Sequence, residues 1–189
     1  MKIVSWNVNS VNVRKPLLKK LIEELSPEVI CLQETKTDNN SFPTNFFETK
    51  NYKCCLNGMR SYNGVAIISK EQPKEFFCHD YCEKNDARHI EVEIGGYKIH
   101  SVYVPAGGDE PNAAINKKFQ HKLDFLDRLS KFIADRKNDK IVLCGDLNVA
   151  PYEEDVWSHK QLKNVVSHTD IERKKLLKIM KNGKMHDMI

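Results

Sequence analysis

One pattern constrains this 189-residue chain more than any other: its short apolar runs each end in a small or acidic polar group. The first run, MKIVSW, closes on Asn7. VICL closes on Gln33 and Glu34, YKIHSV on Tyr103, and KIVLC on Gly145-Asp146-Leu147-Asn148. Runs of this length and character read as strands with both faces buried. When such strands alternate with helices, the groups at their carboxyl ends gather on one rim of a sheet, where open α/β folds place their sites.

The intervening segments supply the helices. Residues 15–25 predict a helix with Pro16 in its first turn, Leu17, Leu18, Leu21, Ile22 and Leu25 on one face, and Pro27 as the stop. Residues 113–136 predict a long amphipathic helix carrying Ile115, Phe119, Leu123, Leu126, Leu129, Phe132 and Ile133. Thr169 and Glu172 have capping-box spacing and open a last helix. Further strands are expected at 52–56, 64–69, 90–94 and 97–104, the last two joined by Gly95-Gly96, a two-residue hairpin signal. With no repeat, low-complexity tract or linker, the chain is expected to form a single domain.

Composition excludes little but narrows the setting. The formal net charge is +4 and the pI about 8.6, which suits a polyanionic partner without requiring one. No stretch approaches the ~20 apolar residues that span a bilayer, and the amino terminus lacks signal-peptide character, so no membrane partner and a cytoplasmic location are expected. The six cysteines include no CxxC pair, and Cys31 and Cys144 lie inside apolar runs. They read as free thiols in a reducing compartment, with Cys78, His79 and Cys82 only a loose match to zinc-ligand spacing.

The rim residues suggest the chemistry. Glu34 and Asp146 are hard oxygen ligands, and Asn7 and Asn148 add amide oxygens or N–H donors. That set suits Mg2+ or Mn2+ and not zinc. A cation held by one or two carboxylates can polarise a phosphate, and Asp146 could instead take a proton from water. Any one of these residues, taken alone, is more simply a turn or cap residue.

Five strings add a resemblance: Ser5-Trp6-Asn7-Val8-Asn9, Leu32-Gln33-Glu34-Thr35-Lys36, Tyr62-Asn63-Gly64-Val65-Ala66, Tyr103-Val104-Pro105 and Gly145-Asp146-Leu147-Asn148-Val149-Ala150-Pro151. In this order, and followed by Asp155-Val156-Trp157, they resemble the exonuclease III family of apurinic/apyrimidinic endonucleases, within the endonuclease/exonuclease/phosphatase superfamily. The resemblance implies a four-layered α/β sandwich of two mostly antiparallel sheets, as in DNase I. It implies a metal site of Asn7, Glu34, Asp146 and Asn148 with Asn9 as an outer ligand, and Glu34 the principal one. Tyr103 would serve the phosphate, Asp146 the water or leaving group, and Asn148 the transition state.

The implied reaction is Mg2+-dependent cleavage of duplex DNA 5′ to abasic sites, with 3′→5′ exonuclease action and cleaning of blocked 3′ ends. Arg14, Lys36, Arg60 and Lys70 are candidate phosphate contacts, and a monomer is expected. The family pattern also implies strands beyond Ile189 that carry another Asp and a Ser-Asp-His string. No Ser-Asp-His string occurs in these 189 residues. The expectation is therefore a domain lacking its C-terminal part, with the second sheet incomplete. The alternative to a working enzyme is a catalytically impaired DNA-binding fragment of an interrupted gene. His168, within VVSHT, reads as structural.

Overall fold

A computed structural model describes residues 1–188 of the chain. The chain divides into two compact units. The first comprises Met1–Asp80, Lys84–Tyr103 and Lys140–Asp146; the second comprises Tyr81–Glu83, Val104–Asp139 and the residues from Leu147 onward.

The first unit holds two four-stranded sheets. One contains β1 (Ile3–Asn7), β2 (Val29–Gln33), β3 (Lys53–Asn57) and β4 (Val65–Ser69), in the order β1-β2-β4-β3. The other contains β5 (Phe76–Phe77), β6 (His89–Ile94), β7 (Tyr97–Tyr103) and β8 (Ile141–Asp146), in that order. Only the β1/β2 and β7/β8 pairs are parallel, so both sheets are mostly antiparallel, as expected. The expected strands appear with ends shifted by a residue or two, and β5 is an addition.

Alternation along β2 and β4 explains why these strands read as unbroken apolar runs. Ile30, Leu32, Ala66 and Ile68 face one cluster, with Val11, Leu18 and Ile22 of helix α1 (Val11–Leu25) and Phe47 of helix α2 (Thr44–Glu48). Val29, Cys31, Val65 and Ile67 face the other, against Ile90, Val92 and Ile99 of the second sheet. One sheet thus lies between helices and a second sheet, and β2 and β4 carry polar side chains only at their ends, Gln33 and Ser69. A polar bridge crosses between the sheets, where Gln33 donates to Ser101 Oγ (3.0 Å) and Ser101 donates to the Leu32 carbonyl (3.2 Å).

Helix α1 starts four residues before the expected start, and Pro16 lies inside it. The Val11 N–H donates to the Thr35 carbonyl (3.1 Å), anchoring the early start. The carbonyl that Pro16 cannot serve belongs to exposed Asn12, where solvent can replace the lost bond.

The second unit is built on α3 (Lys117–Ala134) and α5 (Asp170–Gly183), with the short α4 (His159–Leu162) between them in sequence. Helix α3 is shorter than the expected 113–136. Asn116 ends it by accepting from Lys118 N (3.0 Å) and Phe119 N (3.3 Å), which leaves Ile115 outside and 72% exposed. Phe119, Leu123, Leu126, Leu129 and Ile133 are buried at helical spacing. Helices α3 and α5 are tied by Lys175 to Asp127 (2.5 Å) and by Asn182 to Ser130 (3.3 Å). The capping box of Thr169 and Glu172 opens α5 as predicted. Among the described residues no helix is long and apolar enough to cross a membrane.

Candidate active site

The strand register places the first unit's polar ends. Parallel pairing sets Asn7 beside Gln33, the residue before Glu34, in one sheet, and Tyr103 beside Asp146 in the other. Gly145 is needed for this approach. It has φ +151, and a Cβ there would stand 1.9 Å from the Val102 carbonyl oxygen, so no larger residue lets β8 reach β7 just before Asp146.

Asn7 is the centre of the group. Its Nδ2 donates to Glu34 Oε1 (2.8 Å) and to Asp146 Oδ2 (2.9 Å), while its Oδ1 accepts from the Asn9 N–H (3.1 Å). Two acidic side chains from different sheets therefore share one amide. The Lys36 ammonium pairs with Glu34 Oε2 (2.9 Å) and donates to Asn9 Oδ1, and the Tyr103 hydroxyl is close enough to Glu34 for each to shift the other's titration. Arg88 lies over the Tyr103 ring, 4.8 Å from its centroid.

The loop carrying Glu34 is held in an unusual conformation. Glu34 and Lys36 have φ of 52° and 53°, and Asn9 of the connection between β1 and α1 has 42°, all in the left-handed region that costs a non-glycine residue about 1–3 kcal/mol. Backbone bonds enforce it: Ser10 N to Glu34 O (2.8 Å), Thr35 N to Gly64 O (3.0 Å) and Lys36 N to Asn63 O (3.0 Å). The Asn63-Gly64 string thus supports the Glu34 turn. At Gly64, with φ +83, a Cβ would meet Thr35 Oγ1 at 2.3 Å.

These contacts set the protonation states. Burial pushes the Glu34 carboxyl up, but hydrogen bonds from Asn7, Lys36 and Tyr103 and the Lys36 charge outweigh it and hold the group below its ordinary value. For Tyr103, burial, the bond to Glu34 and that carboxylate's charge all act upward, to about 12. At neutral pH the group contains a carboxylate on Glu34 and an intact phenol on Tyr103.

The donor set fits a hard divalent cation. Glu34 and Asp146 provide two carboxylates, which is what Mg2+ takes from proteins while keeping most of its waters. No group of three His, Cys, Asp or Glu side chains able to hold a metal occurs among the described residues. Cys78, His79 and Cys82 form no such group among the described residues, and His79 pairs with Glu91 (3.3 Å). In this arrangement Asn7 and Asn9 organise the carboxylates and Lys36; Asn7 offers them N–H and not oxygen.

The other expected site residues are placed differently. Asn148 lies in the second unit with φ 49° and donates from Nδ2 to the Val104 carbonyl (2.9 Å). Lys36, expected to face DNA, is turned onto Glu34. Arg14 is half-buried in the first turn of α1, and Arg60 is exposed between β3 and β4. Lys70 donates to the Ser26 carbonyl (3.0 Å) and hydroxyl (2.7 Å), beyond the end of β4 that pairs with Val29, the end of the sheet opposite Glu34. His168 is buried, with Nδ1 2.9 Å from the Ala150 carbonyl, in keeping with a structural role. A cleft of about 490 Å³ opens by Gly95-Gly96, lined by Glu71, Glu93 and Lys98, at the end of β7 remote from Tyr103.

Sequence reading missed Lys122. Its place between Phe119, Leu123 and Leu126 on the apolar stripe of α3 was the available signal, since a lysine rarely occupies a core position.

Comparison with known proteins adds an independent finding. The profile of the endonuclease/exonuclease/phosphatase family matches residues 4–170. Exodeoxyribonuclease III of Haemophilus influenzae is 30% identical over 165 residues, 82% of this chain and 60% of that protein. An AP endonuclease from Archaeoglobus fulgidus has a structure of TM-score 0.88 and 34% identity, covering 96% of this chain and 70% of that one. A 3′ phosphatase from Neisseria, solved bound to a product DNA hairpin, has TM-score 0.90 and 28% identity, covering 96% and 71%. The chain thus spans about 60% of the length of the Haemophilus relative.

Proposed function

The chain belongs to the endonuclease/exonuclease/phosphatase family, and from that premise we propose that it is a divalent-metal-dependent DNA phosphodiesterase of the exonuclease III type. The observation that carries the reading is the sharing of the Asn7 amide by Glu34 and Asp146, at 2.8 and 2.9 Å. Two acidic groups are brought together there by a neutral spacer, an arrangement suited to a hard cation and a phosphate. Similarity to an AP endonuclease and to a 3′ phosphatase bound to DNA supports duplex DNA as the substrate class. The specific reaction proposed is cleavage 5′ to an abasic site, with removal of 3′ blocking groups and 3′→5′ exonuclease action at the same residues.

Glu34 would be the principal ligand for Mg2+ or Mn2+, with Asp146 beside it. When bound, the ion neutralises charge on the phosphate and on the departing oxygen. The Lys36 ammonium, on a flexible stem and paired with Glu34, would be free to serve a phosphate oxygen were a cation to take its place there. Tyr103, a phenol held neutral, can redirect its hydroxyl from Glu34 to a phosphate oxygen. Asp146 accepts a proton from the attacking water as the P–O3′ bond breaks, and the 3′ oxygen takes a proton from solvent. The family resemblance gives Asn148 the part of an N–H donor to the transition state, a contribution typically worth 10²–10³-fold in rate.

Purified protein incubated with Mg2+ and a duplex bearing one abasic site should nick 5′ to that site, and Glu34→Gln should abolish the nick. DNA binding without a nick above background, unchanged by Glu34→Gln, would instead identify a catalytically impaired binding fragment.

A further inference from the structure

The second unit contains a charged pair that the proposed reaction does not use. Lys122 of α3 and Glu172 of α5 meet at 2.5 Å, and both side chains are 0% exposed. Neither end of the pair is left with a single contact. Lys122 Nζ also donates to the Asn148 carbonyl (2.6 Å), the Ala106 carbonyl (3.2 Å) and Ser167 Oγ (3.2 Å). Glu172 accepts from Ser167 N (2.9 and 3.0 Å), Thr169 N (3.1 Å) and Thr169 Oγ1 (2.5 Å). One ammonium therefore ties together three loops: the one following β7, the one following β8 and the one preceding α5.

A buried ion pair is a poor way to gain stability. Well-packed apolar residues of similar volume usually do as well or better, because two charges must be taken out of water. The pair's geometry points to a different task. Asn148 has φ 49° and Ser167 φ 78°, both in the left-handed region, and Lys122 bonds to both residues. The two loops also meet directly, Ala150 N donating to Ser167 O (2.8 Å). Drawing the Asn148 carbonyl onto the ammonium fixes the peptide that follows it, and with it the direction in which the side chain leaves the backbone. The Asn148 amide then reaches the Val104 carbonyl at 2.9 Å.

We infer that the Lys122–Glu172 pair is a positioning device that holds Asn148 in its strained backbone conformation and so aims the Asn148 amide. The catalytic consequence rests on the function proposed above; the structural one does not. Lys122 touches no substrate. It acts on the rate only through Asn148, so its loss should lower kcat and leave KM nearly unchanged.

Two measurements test this separately. In the first, the Asn148 side-chain amide is assigned in ¹⁵N-labelled protein by its disappearance in Asn148→Ala. It is then followed in the paired variant Lys122→Met/Glu172→Gln and in the milder Glu172→Gln, which keeps a side chain competent for the capping box. The expected result is a shift or broadening of the Asn148 amide larger than that of the other asparagines, with the helical circular dichroism retained. An Asn148 amide at its parental position in a folded variant overturns the inference, whether or not the protein has activity. If the paired variant does not fold, Glu172→Gln carries the same two outcomes.

In the second, nicking of abasic duplex is compared in a double-mutant cycle. The paired variant should lower kcat about 10–100-fold with KM within about twofold, as expected for misaimed chemistry. The same substitutions in an Asn148→Ala background should change kcat less than about twofold, because the group they aim is gone. Equal losses in both backgrounds would mean a purely structural role and sink the inference. Absence of nicking by the parent protein would count against the proposed function alone, since the amide spectrum still decides the clamp.

Discussion

The Asn7–Glu34–Asp146 group and the Lys122–Glu172 pair both bring charge together, and they do so in opposite ways. Around Glu34 the ion pair is partly open to solvent, with side chains 31% exposed at Lys36 and 19% at Glu34, and a neutral amide stands between the carboxylates. Around Lys122 both partners are sealed from water, and its bonds to Ala106, Asn148 and Ser167 lie within the second unit. A solvent-accessible lysine can be exchanged for another cation at small cost, because water and salt screen the pair. A buried lysine cannot, because removing one partner strands the other charge. The first arrangement is suited to binding and release, the second to holding a shape.

Substitutions that strand a charge should separate the two regions most sharply. Lys122→Met alone leaves Glu172 buried without its cation and should cost about 3–5 kcal/mol of stability, read by urea unfolding. Adding Glu172→Gln should restore most of that loss. If Lys122→Met unfolds no more easily than the parent, the contrast between an open and a sealed pair fails.

Packing comes next. Gly145→Ala forces a Cβ against the Val102 carbonyl and should destabilise the chain by about 1–3 kcal/mol, the usual range for overpacking. The same melt would show it, and Gly95→Ala provides a control for positive φ without crowding, since nothing lies within 4 Å of that Cβ.

Lys36→Met should have the smallest effect on stability, up to about 1 kcal/mol, since the pair is partly exposed. Its sharper consequence is on pH. Glu34 is held below its ordinary value, so its contribution to stability is present above the unfolded value near ~4.3 and is lost as pH falls through the lower folded value. Removing Lys36 leaves burial opposed by fewer bonds, so the Glu34 carboxyl should titrate at higher pH. A carboxyl-carbon NMR titration that finds Glu34 unmoved would show that Lys36 is not what holds it down.

Much of the frame is legible in the sequence alone. Buried strands betray themselves by unbroken apolar runs, as in VICL, because both faces of the sheet must be covered. KIVLC reads the same way yet forms β8, an edge strand whose residues are only half-buried, because pairing position is set by tertiary structure. The Thr169/Glu172 capping box and the Gly95-Gly96 hairpin were legible because their physics is local. The ends of α1 and α3 were not. Val11 begins its helix through a bond to Thr35, 24 positions away in sequence, and Asn116 cuts α3 short of the apolar pattern that Ile115 extends.

The site divides the same way. Which residues end the strands is a matter of sequence, and Asn7, Glu34, Tyr103 and Asp146 were singled out on that ground. What each holds was decided only by the fold: Asn7 gives both N–H bonds to carboxylates, Lys36 turns onto Glu34, and Lys70 secures Ser26 at the far end of its sheet. A side chain's identity sets which bonds it can make, whereas its partner depends on register between strands far apart in sequence. Lys122 shows the distinction most clearly. The helical repeat places it on the buried face, but only the meeting of α3 with α5 and the Asn148 loop turns a buried charge, otherwise a liability, into a four-way clamp.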